Sequence, residues 1–330
     1  MTSQLAPILK PLPLTSQRTD PSNHRWGVIL AGGDGKRLLT LRRKIAGDHR
    51  PKQFCAIVDG ETLLDKTRRR VGRMIRPEQT LVVVTKTHER FYSSGVDGET
   101  LLIQPDNKGT TPAIVYSLMR LQELDPRALG GFFPSDHYYA DDEAFIAHVE
   151  SAFEAAESRL GPVVLLGVVP GGPEVGYGWI EPGTPLKAHT SRPVFCVRCF
   201  WEKPSLLLAS ALMARGCLWN SFVMVGRVDA FLNLIRRANP DLVEAFEAMR
   251  PTFLTPMEAT TLADLYSRIP VSSFSDEVLS WRPWEFAVLR CENLGWSDLG
   301  ETHRVLSVLE RKGAKPDWAF QHAPGRSAAG

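Results

Sequence analysis

Between residues 26 and 169, short apolar runs alternate with segments of helical spacing, and this alternation constrains the fold more than any other feature. Residues 26–31 (WGVILA), 80–85 (TLVVVT), 101–103, 131–133 and 163–169 are apolar or β-branched and read as buried strands. Between them, Thr62 caps a helix running to about Ile75, with Asp65 in the capping-box position. Thr111-Pro112 opens a second helix to about Leu124, since Thr can cap and Pro is favoured at the first helical position. Asp141 starts a third, with Phe145, Val149, Ala152, Phe153 and Ala156 on one face. Repeated strand–helix units predict an α/β fold, its sheet covered by helices on both faces. Binding sites in such sheets gather at the C-terminal ends of the strands. Beyond Gly176 the pattern turns strand-rich, then helical from about Val228 to Tyr266. The predicted central sheet is therefore mixed and mostly parallel.

Composition narrows the class. A chain of 330 residues, 43% hydrophobic and 23% charged, has ample material for a packed core. Lys plus Arg is 39 against 37 for Asp plus Glu, so the net charge of +2 argues against a whole-surface polyanion partner. Arg68-Arg69-Arg70 lies on a helix and reads as a solvated face, which leaves little support for nucleic-acid binding. No apolar run approaches the roughly 20 residues that span a bilayer. The five scattered cysteines make a poor disulfide framework and point to a reducing, cytoplasmic setting. Cys196 and Cys199 form a C-x-x-C, but on a predicted strand they diverge to opposite faces, so buried packing is their expected role. Residues 1–24 and 313–330 read as tails around a single domain at 25–312, and no signal peptide is expected because Lys10 and several prolines interrupt any apolar region.

The first strand runs into Gly32-Gly33-Asp34-Gly35-Lys36-Arg37. Glycines let backbone N–H groups approach phosphate oxygens, and Arg37 adds a charged fork. A Walker A loop fails here: Leu30 stands where its first Gly is needed, and Arg37 replaces Ser or Thr. A dinucleotide fingerprint fails at Leu38, where the third Gly belongs. A tight turn is the bland alternative. Arg37, Arg42, Arg43, Lys44, Arg50 and Lys52, with only Asp48 between them, supply the charge a triphosphate would neutralise.

Further along, Asp136 in PSDH ends a buried strand and is a natural hard-metal ligand, or else a helix cap. Asp298 in WSDLG is a second carboxylate, or the cap of the last helix. Glu202-Lys203-Pro204 ends the strand carrying the two cysteines and could meet sugar hydroxyls and a phosphate, or else form a solvent-facing turn. Glu174 to Glu181 alternates glycine with aromatics, as in a strand pressed against a ligand or a bulged strand. His137 is expected to be structural.

Taken in order, GGDGKR, PKQF, PSDH, EVGYGWIE, FWEKP, WNS and WSDLG resemble the sugar-1-phosphate nucleotidylyltransferases, and within them the mannose-1-phosphate guanylyltransferase branch. The resemblance spans about residues 26–309. It implies a Rossmann-like nucleotide-diphospho-sugar transferase fold and transfer of a nucleotidyl group from an NTP, GTP foremost, to a sugar-1-phosphate, mannose-1-phosphate foremost. It places Gly32, Gly33, Gly35, Arg37 and Lys52 on the triphosphate, and Gln104, Asn107, Thr110 and Thr111 on the nucleoside. It places Asp136 and Asp298 on magnesium (Mg2+), and Gly178, Glu202, Lys203 and Asn220 on the sugar phosphate. Arg37, Lys52 and Lys203 become the catalytic cations. Small-molecule substrates are the expected partners, and a homodimer is left open.

Departures are visible. The segment from Arg37 to Pro51 lacks the family's proline and is longer. Phe222 stands where the family's WNSGMF has glycine, which narrows the expected sugar pocket. The chain stops soon after WSDLG, so the long form's isomerase domain is not expected. Two other readings stay open: the same chemistry on another NTP or hexose phosphate, and a non-catalytic nucleotide-sugar sensor. Retention of both carboxylates argues against the sensor.

Overall fold

The computed structural model describes residues 24–92, 99–157, 162–187, 190–316 and 318. The expected N-terminal tail, apart from His24, and most of the C-terminal one lie outside these residues. In chain order the elements are β1 (Arg25–Leu30), α1 (Leu39–Ala46), α2 (Leu63–Val71), β2 (Thr80–Thr85), β3 (Thr100–Gln104), α3 (Thr110–Leu124) and β4 (Leu129–Pro134). Next come α4 (Asp142–Ala156), β5 (Val163–Val168), β6 (Gly178–Pro185), β7 (Val194–Glu202), α5 (Leu206–Ala214) and β8 (Leu218–Arg227). The chain continues with α6 (Val228–Ala238), α7 (Pro240–Ala248), α8 (Glu258–Arg268), β9 (Phe286–Cys291) and α9 (Thr302–Arg311).

The strands form one sheet in the order β3-β2-β1-β4-β8-β5-β9-β7-β6. The expected α/β architecture with a mixed sheet is present. Parallel pairing joins β3, β2, β1 and β4, and recurs between β5 and β9. The other pairings among the described strands are antiparallel, so the parallel share is smaller than expected. Part of the reason is β8, which follows α5 after a tight turn at Gly216, φ +76°, and runs antiparallel to β4, β5 and β6; β7 adds antiparallel pairings with β6 and β9.

Side chains alternate between two cores. Val28 and Leu81 pack with Ile114, Phe231, Phe246 and Leu265 from α3, α6, α7 and α8. Ile29 and Val82 face the other way, against Val71 of α2 and Phe153 of α4. Fully burying each such side chain is worth about 1.5–3 kcal/mol, and the two-sided burial explains strands with no polar face. A smaller third core joins α1 to α9 through Leu41, Leu38, Leu299 and Val305.

Local signals mostly act as read. Thr62 caps α2 by accepting from Asp65 N, and its hydroxyl donates to the Asp65 carboxylate at 2.6 Å. Asp141 caps α4 by accepting from Ala144 N at 2.9 Å. One expectation is corrected. Thr111 is not the cap of α3; that position is Gly109, and Thr111 lies inside the helix. The stretch from Val228 onward is helical as read, divided into three helices because Pro240 and Pro251 cannot continue a helix ladder and Asn239 caps α7 afresh.

Candidate active site

The glycine loop leaves β1 at the C-terminal edge of the parallel strands. Ala31 N still donates to Val83 O at 2.8 Å, so the loop starts as an extension of the sheet. Gly32 is required by crowding: a Cβ there would lie 2.7 Å from Gln104 Nε2 and 2.9 Å from Thr85 Oγ1. Gly35 is required by conformation, with φ +59°. Gln53 then pins the loop, donating through Nε2 to Ala31 O at 2.7 Å and Gly33 O at 3.0 Å. The amide of the PKQF motif is thus spent on the loop. Asp34 turns sideways, 3.3 Å from His88 Nε2 and accepting from Asn107 Nδ2 at 3.3 Å.

A cavity of about 390 Å³ opens beyond the loop, walled by Gly32, Gly33, Gln104, Asn107, Thr110 and Asp136. A wider recess of about 610 Å³ adjoins it through Asn107, Gly109 and Asp136, and adds Arg37, Lys52 and Gly300. Thr111 is fully buried and lines neither space. Gln104 is oriented from behind by the Tyr266 hydroxyl, which donates to its Oε1 at 3.0 Å. Residues 271–274 clamp the segment before α3. Phe274 N donates to Thr110 Oγ1 at 2.9 Å, and a Cβ on Gly109 would lie 2.2 Å from Ser272 O. Sequence reasoning missed this clamp, which depends on a contact between distant segments.

Asp136 and Asp298 meet through backbone pairing. Tyr138 and Ser297 form an isolated antiparallel bridge, N to O at 2.9 and 3.0 Å, which draws the two motifs side by side. Lys52 bridges them. Its buried ammonium sits 2.9 Å from Asp136 Oδ2 and donates to the carbonyl of Asp298. Asp298 does not cap α9; that position belongs to Glu301. Its Oδ1 instead accepts from Gly300 N and from Arg304 Nη1, both at 2.7 Å. Burial would raise the Asp298 pKa, but Lys52 and Arg304 outweigh it and hold the carboxyl below its ordinary value. Burial lowers the His137 pKa, against the pull of Asp136, so the imidazole stays neutral near pH 7. Trp296 Nε1 donates to His137 Nδ1 at 3.3 Å, which fits that neutral, structural role.

Gly178, Glu202, Lys203 and Asn220 gather on β6, β7 and β8. Gly178 pairs in register with Glu202, and a Cβ on Gly178 would lie 2.7 Å from Phe200 and 3.0 Å from Glu202 Oε2. Lys203, at φ +47°, donates from its backbone to Tyr177 O at 3.2 Å and pairs through Nζ with Glu202. Asn220 is buried on β8. Arg37 is 55% exposed and meets Glu301 at 3.4 Å.

The aromatic letters of the motifs serve packing. Tyr177 touches Trp219 and Trp296 at ring distances of 5.0 and 4.7 Å, and Trp296 meets His137 at 5.5 Å, joining the two halves of the site from below. Arg304 lies against this floor, 4.1 Å over Tyr177, with Nη2 2.6 Å from Glu174 Oε2. Gly176 exists for this arginine: a Cβ would lie 2.1 Å from Arg304 Nη2. The glycine–aromatic pattern of residues 174–181 therefore accommodates Arg304 at Gly176 and the Phe200 and Glu202 side chains of β7 at Gly178. No sequence signal singles out Arg304, which is one more basic residue at the start of a helix.

A glycine loop at the strand ends, beside two carboxylates and a buried lysine, defines a nucleotide-handling enzyme of the α/β class. Residues 26–312 match the family described as Nucleotidyl transferase, and the chain belongs to it. The chain is 31% identical over 291 residues to the mannose-1-phosphate guanylyltransferase of Escherichia coli K12, covering 83% of this chain and 58% of that protein. It is 30% identical over 293 residues to the xanthan biosynthesis protein XanB of Xanthomonas campestris, covering 87% of this chain and 60% of that protein. The chain thus spans less than two thirds of these curated relatives. A crystal structure described as mannose-1-phosphate geranyltransferase from Thermus thermophilus superposes with a TM-score of 0.75 at 29% identity, covering 89% of this chain and 80% of that one.

Proposed function

We propose that this protein transfers the guanylyl group of GTP to mannose-1-phosphate, giving GDP-mannose and pyrophosphate. The observation carrying this reading is the glycine-loop cavity lined by Asp136, with Lys52 joining Asp136 to the Asp298 backbone beside it. The name of the Escherichia coli relative supports the choice of substrates.

The chemistry needs alignment and charge neutralisation more than proton transfer. A phosphate monoester has a second pKa near 6, so the sugar-phosphate oxygen is anionic at neutral pH and needs no general base. It attacks the α-phosphorus, a new P–O bond forms, and the α–β bridging bond breaks to release pyrophosphate. Backbone N–H groups of Gly32, Gly33 and Gly35 cradle the triphosphate, and Arg37 reaches it from the exposed rim. Lys52 neutralises charge on the departing pyrophosphate. Gln104, Asn107 and Thr110 hold the nucleoside. Gly178, Glu202 and Asn220 position the sugar, and Lys203 orients its phosphate.

The donor set also fits a magnesium ion. Among the described residues no group of three or more His, Cys, Asp or Glu could hold a metal alone. Magnesium favours one or two carboxylates completed by substrate oxygens, which is what Asp136 and Asp298 offer. When bound, it would neutralise charge on the phosphate oxygens of both substrates. The described helices include none long and apolar enough to cross a membrane. All five cysteines are free, and we place the protein in the cytoplasm.

The test is a panel of NTPs and sugar-1-phosphates assayed for pyrophosphate release with and without Mg2+. The highest kcat/KM should fall on GTP with mannose-1-phosphate, and activity should vanish under chelation. A different preferred pair would overturn the substrate assignment. Binding of GDP-mannose with no turnover of any pair would favour the sensor.

A further inference from the structure

The cavity beyond the glycine loop is lined by three side-chain amides, and two of them are already spent. Gln53 donates to the loop carbonyls, and Asn107 donates to Asp34 while accepting from Gly109 N at 3.1 Å. Gln104 differs. It is 2% exposed. Its Nε2 makes no hydrogen bond among the described residues and is turned toward Gly32, 2.7 Å from where a Cβ would stand there. Much of the remaining wall is apolar, from Leu30, Val83, Ala113, Pro134 and Phe222, the last at φ +60° on a bulge where β8 slips against β5. A pocket of this kind orients its ligand through a few placed polar groups. A buried, unpartnered donor facing it is such a group.

An amide can turn end for end, so its carbonyl could equally face the cavity. Tyr266 decides which end does. It is fully buried on α8, and burial pushes its pKa far up, so the hydroxyl keeps its proton. A buried O–H left without an acceptor is costly, and Gln104 Oε1 at 3.0 Å is its one partner among the described residues. The amide carbonyl is therefore held to the back wall and Nε2 to the front. Tyr266 is fixed in its turn. Its ring sits edge-on to Phe246 at 6.3 Å. Glu258, at the start of α8, accepts from Tyr116 Oη at 2.7 Å and from Arg120, both on α3.

We infer that Tyr266 is a positioning residue for base selection: it holds Gln104 as a donor toward the nucleoside, so that a base with a ring carbonyl at that edge is preferred to one with an amino group. At the same ring position guanine carries the acceptor O6 and adenine an amino donor. Two donors facing each other are both left unpaired, which a buried site penalises. The inference rests on the nucleotidyl-transfer reading above and on the nucleoside assignment of Gln104.

The test measures kcat/KM for GTP, ITP, ATP, UTP and CTP with mannose-1-phosphate, in the wild type and in Tyr266→Phe. Inosine triphosphate keeps the ring carbonyl of guanine and lacks its 2-amino group. The wild type should use both GTP and ITP better than ATP. Both preferences should fall about tenfold in the variant, because the freed amide can present either end. Each ratio is taken within one preparation, so a smaller folded fraction cancels. A wild type that uses GTP well but ITP no better than ATP overturns the inference alone, since guanine would then be chosen by its 2-amino group. A parallel fall for every nucleotide in Tyr266→Phe also overturns it, since the hydroxyl would then serve packing. A wild type that prefers UTP to GTP and to CTP, and loses the second preference in Tyr266→Phe, overturns the guanine assignment and upholds the role of Tyr266. A wild type that transfers from no nucleotide overturns the inference together with the function beneath it.

Discussion

Two lysines mark the two halves of the site. Lys52, beside the parallel half, is 6% exposed and already engages Asp136 and the Asp298 carbonyl. Lys203, in the antiparallel half, is 54% exposed and pairs with its neighbour Glu202. The first is part of the architecture: its charge holds two motifs together whether or not substrate is present. The second stands in solvent, where a single ion pair contributes roughly 0–1 kcal/mol to stability. One half is therefore preorganised, and the other awaits its ligand.

The largest effect should separate the lysines. Lys52→Ala leaves a carboxylate beside an empty space and removes a cation from the proposed pyrophosphate position. We expect kcat to fall about 10²–10³-fold, with a lowered melting temperature, read by pyrophosphate release and thermal melting. A variant with full turnover would break the comparison.

Arg304 should come next. It ties Asp298 to Glu174 and rests on Tyr177, so it acts by positioning. Arg304→Lys keeps the charge but cannot bridge both carboxylates. The Mg2+ concentration for half-maximal activity, and that for half-maximal thermal stabilisation by Mg2+ with nucleotide, should both shift about 10–100-fold upward. Loss of stability with no shift in Mg2+ dependence would reduce Arg304 to a packing residue.

Lys203→Ala should be milder. The KM for sugar phosphate should rise by about tenfold, a charge-assisted hydrogen bond being worth roughly 1.5–3 kcal/mol, with the melting temperature essentially unchanged. A large stability loss would show that this half is as preorganised as the other.

The smallest effect concerns acid stability. Asp298 has a folded pKa below its unfolded value, so the folded state binds fewer protons and the group stabilises the fold above the unfolded pKa. That contribution begins to disappear near pH 4, the ordinary carboxylate range, and is gone once the depressed folded pKa is passed. Asp298→Asn should therefore flatten the acid limb of a denaturation curve. An unchanged limb would mean that Lys52 and Arg304 do not hold the carboxylate as described.

Much was legible in the chain itself. Two-sided hydrophobic runs announce buried strands because each side chain must leave water on one face or the other. Thr62 and Asp141 declare their helices because short polar side chains satisfy orphaned N–H groups. The motif residues, read in order with the resemblance they carry, include Gly32, Gly33, Gln104, Asn107, Thr110 and Asp136, which line the cavity. What those positions do could only be seen in three dimensions. Gln53, visible in the sequence only as a letter of the PKQF motif, holds the glycine loop. Gly176 lay in a stretch read as a strand pressed against a ligand or a bulged strand, and its bare backbone makes room for Arg304. Phe222 was visible as a missing glycine, but its backbone angle and the bulge beneath it depend on β5 and Phe274. The physical reason is common to all three. Periodicity and capping are governed by neighbours a few residues apart and are written locally. Which group meets which across twenty residues or more depends on how the layers pack, and that packing exists only in the folded chain.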